Sequence, residues 1–387
     1  MKKFNIVAKT LQGLEQVLAE EIKGIGGEEI KVVYRAVEFL GDLTVMYKAN
    51  LLLRTAMRIL VPIHSFEAFN ETEYYENIKN IKWDGFMQKE DTLAVDAVVS
   101  SSFSTHSHYV ALKTKDAIVD YFRDKYGVRP SVDTFRPTLQ VNIHLLKNFC
   151  TVSLDSSGDP LFKRGYREAS VEAPLGEVLA AGILKLTNWD MQKPLYDPMC
   201  GSGTFLTEAA MMATNTPPQL MRRHFTFQYW NDYDKDLWIN LKKEAHEAIQ
   251  PLTVKIQGSD RDRNALIATR KNLASLGFEN DISLKHVSFE DSTPDTAEGM
   301  IIMNPPYDER LRESENEEMY KKMGDHLKQA YQGFSAWILS GDMEAIKCIG
   351  LHASKKYSLI NGSLDCKLLR YDLYGGSKKA KYRTEVP

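Results

Sequence analysis

Apolar positions in the first sixty residues switch between two periods. FNIVAK (4–9) alternates as a strand does. LEQVLAEEIKGIG (14–26) repeats its apolar residues three and four apart, as one helix face does, with Gly24 or Gly26 to end it. KVVYRAVEFLG (31–41) and LTVMYKAN (43–50) read as further strands, and LLLRTAMRIL (51–60) as a second helix. Together they predict a small α+β unit. A second block follows: EYYENIKNIKWDGFM (73–87) is helical in pattern and DTLAVDAVVS (91–100) alternates. HSHYVALKTKDAIVDYFRDKYG (106–127) reads as a long helix stopped by Gly127, and LQVNIHLLKNFCTVSLDSSG (139–158) as two strands. From about residue 165 strands and helices alternate, the pattern of a parallel sheet covered by helices. The strand candidates are PLYDPMC, VKIQGSD, ISLKHVSF, GMIIMNPP and SAWILSG. KYSLING and LDCKLLRYDLY flank Asn361-Gly362-Ser363 and predict an antiparallel pair at the end.

Composition narrows the class without deciding it. The chain has 387 residues, enough for two or three domains, with 43% hydrophobic and 26% charged residues, an ordinary globular balance. No apolar run is long enough to span a bilayer, and MKKFNIVAKT has no apolar core of a signal peptide. Four cysteines (Cys150, Cys200, Cys348, Cys366) lie far apart without C-x-x-C spacing, and nine histidines are scattered, so no metal site is expected. These features predict a reduced, cytoplasmic protein. The net charge of −3 offers no global attraction for nucleic acid, so any such contact must come from local patches. Lys113, Lys115, Arg123, Lys125, Arg129 and Arg136 stand among fewer acids than elsewhere and are one such candidate; a solvated helix face is the plain alternative.

Three segments carry chemistry. In LYDPMCGSGTFLTEAA (195–210) a strand ends at Asp197, a glycine turn follows, and a helix begins near Thr204. Gly201 and Gly203 let backbone approach a ligand closely. The dinucleotide pattern fails because Leu206 holds the third glycine place, and no Gly-Lys-Ser/Thr follows to make a P-loop. Asp197 suits a cationic group rather than a phosphate; a purely structural turn would give the same pattern. In the second segment Asp260 closes the next strand, where a carboxylate can accept from both ribose hydroxyls. Asp262 is placed to start the helix after it. In the third, IIMNPPY (301–307), two prolines freeze an extended backbone after a buried strand. The Asn304 side-chain oxygen and the Pro305 carbonyl can then accept both hydrogens of an exocyclic amino group, with Tyr307 as a flat face for an extruded base.

Taken in order, these segments resemble a class I methyltransferase of the amino-group type. DPMCGSGTF resembles its first cofactor motif, GSDRD its ribose-binding acid and NPPY its catalytic motif. The resemblance implies an α/β, Rossmann-like fold with a seven-stranded, mostly parallel sheet and S-adenosyl-L-methionine as cofactor. It implies cofactor contacts at Asp197, Cys200, Gly201, Gly203, Thr204, Asp260 and Asn304. Cys200 is expected to be a small packing residue in the turn rather than a nucleophile. Asn304, Pro305, Pro306 and Tyr307 would hold the target base. HVSFED departs from the pattern, with Ser288 where an acid often stands, so Phe289 and Asp291 are the expected adenine contacts. The segment YDERL and the helix NEEMYKKMGDHLKQAYQG fit the region after the catalytic loop.

LDSSGDPLFKRGYR and EAPLGEVLAAGILKL are similar to the junction between a THUMP RNA-binding domain and its methyltransferase. The implied domains are a ferredoxin-like unit (1–55), THUMP (56–156) and methyltransferase (165–387). Arg164 and Arg167 join the basic residues expected to touch RNA. The bacterial 23S rRNA guanine-N2 methyltransferases of the large-subunit L type resemble the chain best. Their second methyltransferase domain would lie beyond residue 387, so one activity is expected here. The implied partner is large-subunit rRNA or its assembly intermediate. Two rivals stand beside this: methylation of adenine N6 in DNA, and an RNA-binding assembly factor with an inactive cofactor fold.

Overall fold

A computed structural model describes residues 2–306 and 313–375, which divide into two compact units. The first comprises residues 1–10, 18–161 and 221–244; the second comprises 11–17, 162–220 and 245–387. Neither unit is continuous in sequence, so the expected methyltransferase block (165–387) gives up residues 221–244 to the first unit and gains residues 11–17.

The first unit contains β1 (Phe4–Lys9), most of α1 (Glu15–Gly24), β2 (Glu28–Val33), β3 (Ala36–Gly41), α2 (Leu43–Leu52) and β4 (Arg58–Glu67). It continues with α3 (Glu71–Lys79), β5 (Thr92–Ser100), α4 (Ser107–Tyr126), β6 (Ser131–Val132), β7 (Leu139–Leu146) and β8 (Phe149–Asp155). The strands form one sheet in the order β2-β3-β1-β4-β8-β7-β5-β6. The boundary expected at residues 55 and 56 falls just before β4. That strand pairs antiparallel with both blocks: Leu60 faces Val7 of β1 and Asp155 of β8.

Two predicted elements change type. LTVMYKAN, read as a strand, is most of helix α2, and LLLRTAMRIL, read as a helix, straddles the end of α2 and the start of β4. Asp42 supplies the N-cap: its side chain accepts the Val45 N–H at 3.1 Å, satisfying a donor that the first helical turn leaves free. Apolar residues on nearly every side of α2 hide its period, and the buried set extends to Asn50, whose amide donates to the Ser156 hydroxyl at 2.8 Å. Tyr47 explains much of that burial. Its ring stacks on Phe227 at 4.6 Å and meets Trp238 edge-on at 5.8 Å, both from the 221–244 segment. Elsewhere the predicted stops hold: Gly127 ends α4 with φ +70°, its N–H bonded to the Arg123 carbonyl at 2.8 Å.

In the second unit come α5 (Glu177–Leu186), β9 (Leu195–Asp197) and α6 (Thr204–Ala213); α7 (Lys235–Glu247) crosses the unit boundary. Then follow β10 (Ile256–Asp260), α8 (Arg263–Ala274), β11 (Ser283–His286), β12 (Gly299–Met303), α9 (Glu313–Ala330), β13 (Phe334–Ser340), β14 (Lys355–Asn361) and β15 (Leu364–Asp372). The sheet order is β11-β10-β9-β12-β13-β15-β14, and β15 alone runs against its neighbours. All seven strands lie where the hydrophobic runs predicted them. β12 is buried at every position, which is why GMIIM shows no alternation. Parallel packing also demands close approach: a Cβ on Gly258 would meet a Leu206 methyl of α6 at 2.4 Å. Among the described residues, no helix is long and apolar enough to cross a membrane.

The α2 cap gives a stability test. Asp42→Ala should cost about 1 kcal/mol in urea unfolding of the first unit, whereas Asp42→Ser should retain most of it. Equal midpoints for Asp42→Ala and the parent would show that the cap contributes nothing.

Candidate active site

The strand order sets the carboxyl ends of β9, β10 and β12 side by side, and each ends in a polar residue: Asp197, Asp260 and, one residue on, Asn304. After Asp197 the chain turns sharply. The Cys200 N–H donates to the Ser259 carbonyl at 3.0 Å, and the Gly203 N–H closes the turn on the Cys200 carbonyl at 2.7 Å. Gly201 and Gly203 hold φ of +54° and +78°, which other residues adopt only with strain. At Gly203 space also forbids a side chain, because a Cβ would lie 2.5 Å from a Thr269 methyl.

Asp260 is tied to this turn. One carboxylate oxygen accepts the Gly201 N–H at 2.9 Å and the other accepts the Asp262 N–H at 2.9 Å. A carboxylate has about four acceptor sites, so each oxygen keeps one for a ribose hydroxyl. Asp262 caps α8 by accepting the Asn264 N–H at 2.8 Å. Asp197 differs sharply from Asp260. It is buried, accepts one long bond from the Met199 N–H (3.3 Å), and has no cation within ion-pair distance among the described residues. Burial pushes its carboxyl well above the usual range, and the nearby Asp260 charge adds to the shift. With Ser259, His286, Val287 and Asp291 it lines a cavity of about 300 Å³. A buried carboxylate without a cation, a half-satisfied acid and an open glycine turn fit a cationic, ribose-bearing ligand. S-adenosylmethionine has that chemistry.

The remaining cofactor candidates are placed as follows. The Cys200 thiol is buried 3.8 Å from the Thr269 hydroxyl, and burial raises its pKa, so it packs rather than reacts. The Thr204 hydroxyl donates to the Leu175 carbonyl at 3.2 Å and accepts from Arg167, so that the side chain is engaged inside the fold. The Phe289 ring stacks on Tyr331 and meets His326 edge-on, inside the core. Asp291 faces the cavity and accepts the Ser288 hydroxyl at 2.7 Å, so the residue standing where an acid was expected is bonded to an acid three places on.

Asn304 is half-buried, but its side-chain oxygen is fully buried and has no hydrogen-bond partner among the described residues. Such an orphan costs free energy unless something fills it. Pro305 is buried and Pro306 exposed. Tyr307 lies outside the described residues, as does the YDERL segment it begins.

Two expected RNA contacts point inward instead. The Arg164 side chain is 1% exposed and pairs with Glu208 at 3.2 Å, so RNA cannot reach it. Arg167 donates to Glu177 (2.7 Å), Ser202 (3.0 Å), the Leu175 carbonyl (3.0 Å) and Thr204 (3.1 Å). Each of its three nitrogens therefore donates to the protein, tying the glycine turn to Leu175 and to the start of α5. Sequence reasoning also missed two supports on α8. Thr269 donates to the Gly201 carbonyl at 2.7 Å, and Asn272 donates to the Ser202 and Ala169 carbonyls, each at 2.9 Å. Their spacing of three on a helix that follows a ligand-binding strand is a usable signal. Of the other six basic candidates, four lie on α4, Arg129 on the loop after it and Arg136 on the loop between β6 and β7. Lys113 sits over the Tyr75 ring, and Lys115 pairs with Asp116. Arg123 pairs with Asp120 and Asp124, Lys125 with Asp84, and Arg129 lies 3.9 Å from Asp120. Arg136 is exposed with no ion pair within 4.0 Å among the described residues.

This sheet order, glycine turn and pair of acids define a class I, S-adenosylmethionine-dependent methyltransferase. Residues 164–370 match the RMKL-like methyltransferase domain, 68–155 the THUMP domain and 5–60 the RlmL ferredoxin-like domain. The chain belongs to the RMKL-like methyltransferase family. It is 40% identical over 369 residues to a putative RNA methyltransferase, slr0064, of Synechocystis sp., covering 95% of this chain and 96% of that one. It is 38% identical over 375 residues to the ribosomal RNA large subunit methyltransferase K/L of Syntrophotalea carbinolica, covering 94% of this chain and 52% of that one. The chain thus spans about half the length of the K/L relatives it matches. Among solved structures, SMU.472, a putative methyltransferase complexed with SAH, superposes with a TM-score of 0.87 at 31% identity. That match covers 97% of this chain and all of the other.

Two tests follow. Asp197→Asn should weaken S-adenosylmethionine binding by about ten- to one-hundredfold in calorimetry. A raised folded pKa means that the native state holds its proton longer than the unfolded chain. The ligand-free parent should therefore lose stability relative to Asp197→Asn as pH climbs above the unfolded carboxylate value of about 4; parallel melting curves would contradict this. Arg164→Ala should lower stability by about 3–5 kcal/mol by stranding buried Glu208, with partial recovery in Arg164→Met/Glu208→Gln. A variant that melts like the parent and binds RNA worse would return Arg164 to the RNA surface.

Proposed function

We propose that the chain transfers a methyl group from S-adenosylmethionine to N2 of a guanine in 23S ribosomal RNA, in the cytoplasm. The observation that carries this reading is the buried, unpartnered Asn304 oxygen at the end of β12, beside the turn after β9. The cofactor supplies an electrophilic sulfonium methyl. The chain supplies position: Asn304 Oδ1 and the Pro305 carbonyl accept the two amino hydrogens. The nitrogen lone pair is normally delocalised into the ring, and hydrogen bonds that favour a pyramidal nitrogen assist the transition state more than the ground state. Pro305 and Pro306 hold the acceptors at fixed dihedrals. The N2 lone pair would form the new N–C bond as the methyl's bond to sulfur breaks, and the nitrogen would then give up one proton to water. Tyr307 is read as the stacking face for the extruded base. THUMP and ribosomal-RNA relatives support RNA over DNA as substrate, and the intact acids and glycines support an active enzyme over an inert binding module.

Nucleoside mass spectrometry of rRNA from a strain lacking the gene tests this directly. Loss of one N2-methylguanosine from large-subunit RNA is expected. Intact rRNA with loss of N6-methyladenine from DNA would overturn the substrate, and absence of heat on mixing with S-adenosylmethionine would favour the binding module. Asn304→Ala should lower kcat by about a hundredfold or more with cofactor affinity unchanged; unchanged turnover would remove Asn304 from the mechanism.

A further inference from the structure

We propose that Phe135 is a stacking platform for an unpaired base of the substrate RNA, an inference that rests on the RNA reading above and gives it an address. Among the described residues, Phe135 is the most open of the large apolar side chains, at 90% exposure. Its backbone is nevertheless held in place. β6 pairs with β5 on one side of it, and on the other Thr138 and Thr92 exchange hydrogen bonds at 3.1–3.3 Å. Between these anchors Asp133 accepts the N–H groups of both Phe135 (2.8 Å) and Arg136 (3.0 Å), while Pro137 is buried. Those two bonds also hold the Asp133 carboxyl below its ordinary pKa, so the clasp stays charged.

An aromatic ring carried in water on an anchored backbone makes little contact inside its own unit. Its backbone is already ordered, so a base that lands on it meets little further entropic cost. The occupant is argued from charge. Arg136 follows Phe135 in the chain, exposed and with no ion pair within 4.0 Å among the described residues, though its charge also acts on the Asp133 carboxylate. A flat π face followed in the chain by an exposed arginine suits a base and its phosphate. The basic residues of α4 are largely paired with acids, so this chain relies on stacking where a more basic one would rely on charge.

The test measures binding of the full chain to protein-free large-subunit rRNA from a strain lacking the gene, at several salt concentrations. Phe135→Ala should weaken binding about tenfold with an unchanged salt slope, and Phe135→Trp should restore it. Arg136→Ala should weaken binding and reduce the salt slope by about one phosphate contact. Melting temperature and S-adenosylmethionine affinity should stay constant throughout. Under turnover, Phe135→Ala should raise KM for RNA and leave kcat unchanged. Wild-type affinity in Phe135→Ala overturns the proposal. So does a defect seen only on ribosomal particles, which would put a protein on the loop. Methyl transfer by the parent chain is scored in parallel: binding without transfer overturns the proposed reaction and leaves the stacking result to its own arm.

Discussion

The hydrogen bond from the Gly201 N–H to the Asp260 carboxylate joins two loops 59 residues apart in the chain. It forms because β9 and β10 are parallel neighbours in a register that sets Gly258 against Asp197, so that Asp260, two residues further on, lies level with the turn that follows β9. The bond fixes the glycine turn against Asp260, and through the turn it fixes where α6 begins. Asp197 then stays buried without a counter-charge; burial favours its protonated form, and a cationic ligand would favour the charged one. The adjacent β12 brings Asn304 to the same edge. The site is therefore a property of strand order first and of side chains second.

Around that bond lies a polar scaffold that never reaches solvent chemistry. Arg167, Thr269 and Asn272 spend their donors on the carbonyls and hydroxyls of the turn and of the segment before α5. A glycine turn is conformationally loose on its own, since glycine loses more freedom on folding than any other residue. Several convergent hydrogen bonds from α8 and from Arg167 restrict it. That restriction is what lets a small-residue loop present backbone at a defined distance to a ligand, and it explains why a basic residue next to a domain junction points inward.

The first unit solves a different problem. With a net charge of −3 over the chain, long-range attraction for RNA is weak. Most cations of α4 already have acidic partners, and exposed pairs of that kind contribute little and are screened by salt. What remains on offer is shape, the exposed Arg136 and the exposed ring of Phe135 on its anchored backbone. The single eight-stranded sheet holds this loop on β5 and β6, so the recognition surface is carried by an ordered edge.

The sequence by itself determined the second sheet and the order of its motifs. Buried strands between helices leave runs such as GMIIM and SAWILS, and each chemical residue follows its run directly, so position along the chain already implied position at the strand ends. The helix stop at Gly127 and the closing antiparallel pair were equally legible, because turn residues act locally. Tertiary structure decided the rest. LTVMYKAN and LLLRTAMRIL are short apolar runs whose period does not separate helix from strand. The burial of Tyr47 under Phe227 and Trp238, nearly two hundred residues away, is a contact that no local window contains. Nor does a window reveal that residues 11–17 and 221–244 change units. Arg164 and Arg167 look like any surface charge in sequence. Glu208 and Glu177, brought to them by folding, turn both inward, because a buried charge is tolerated only where a partner of opposite sign is already in place.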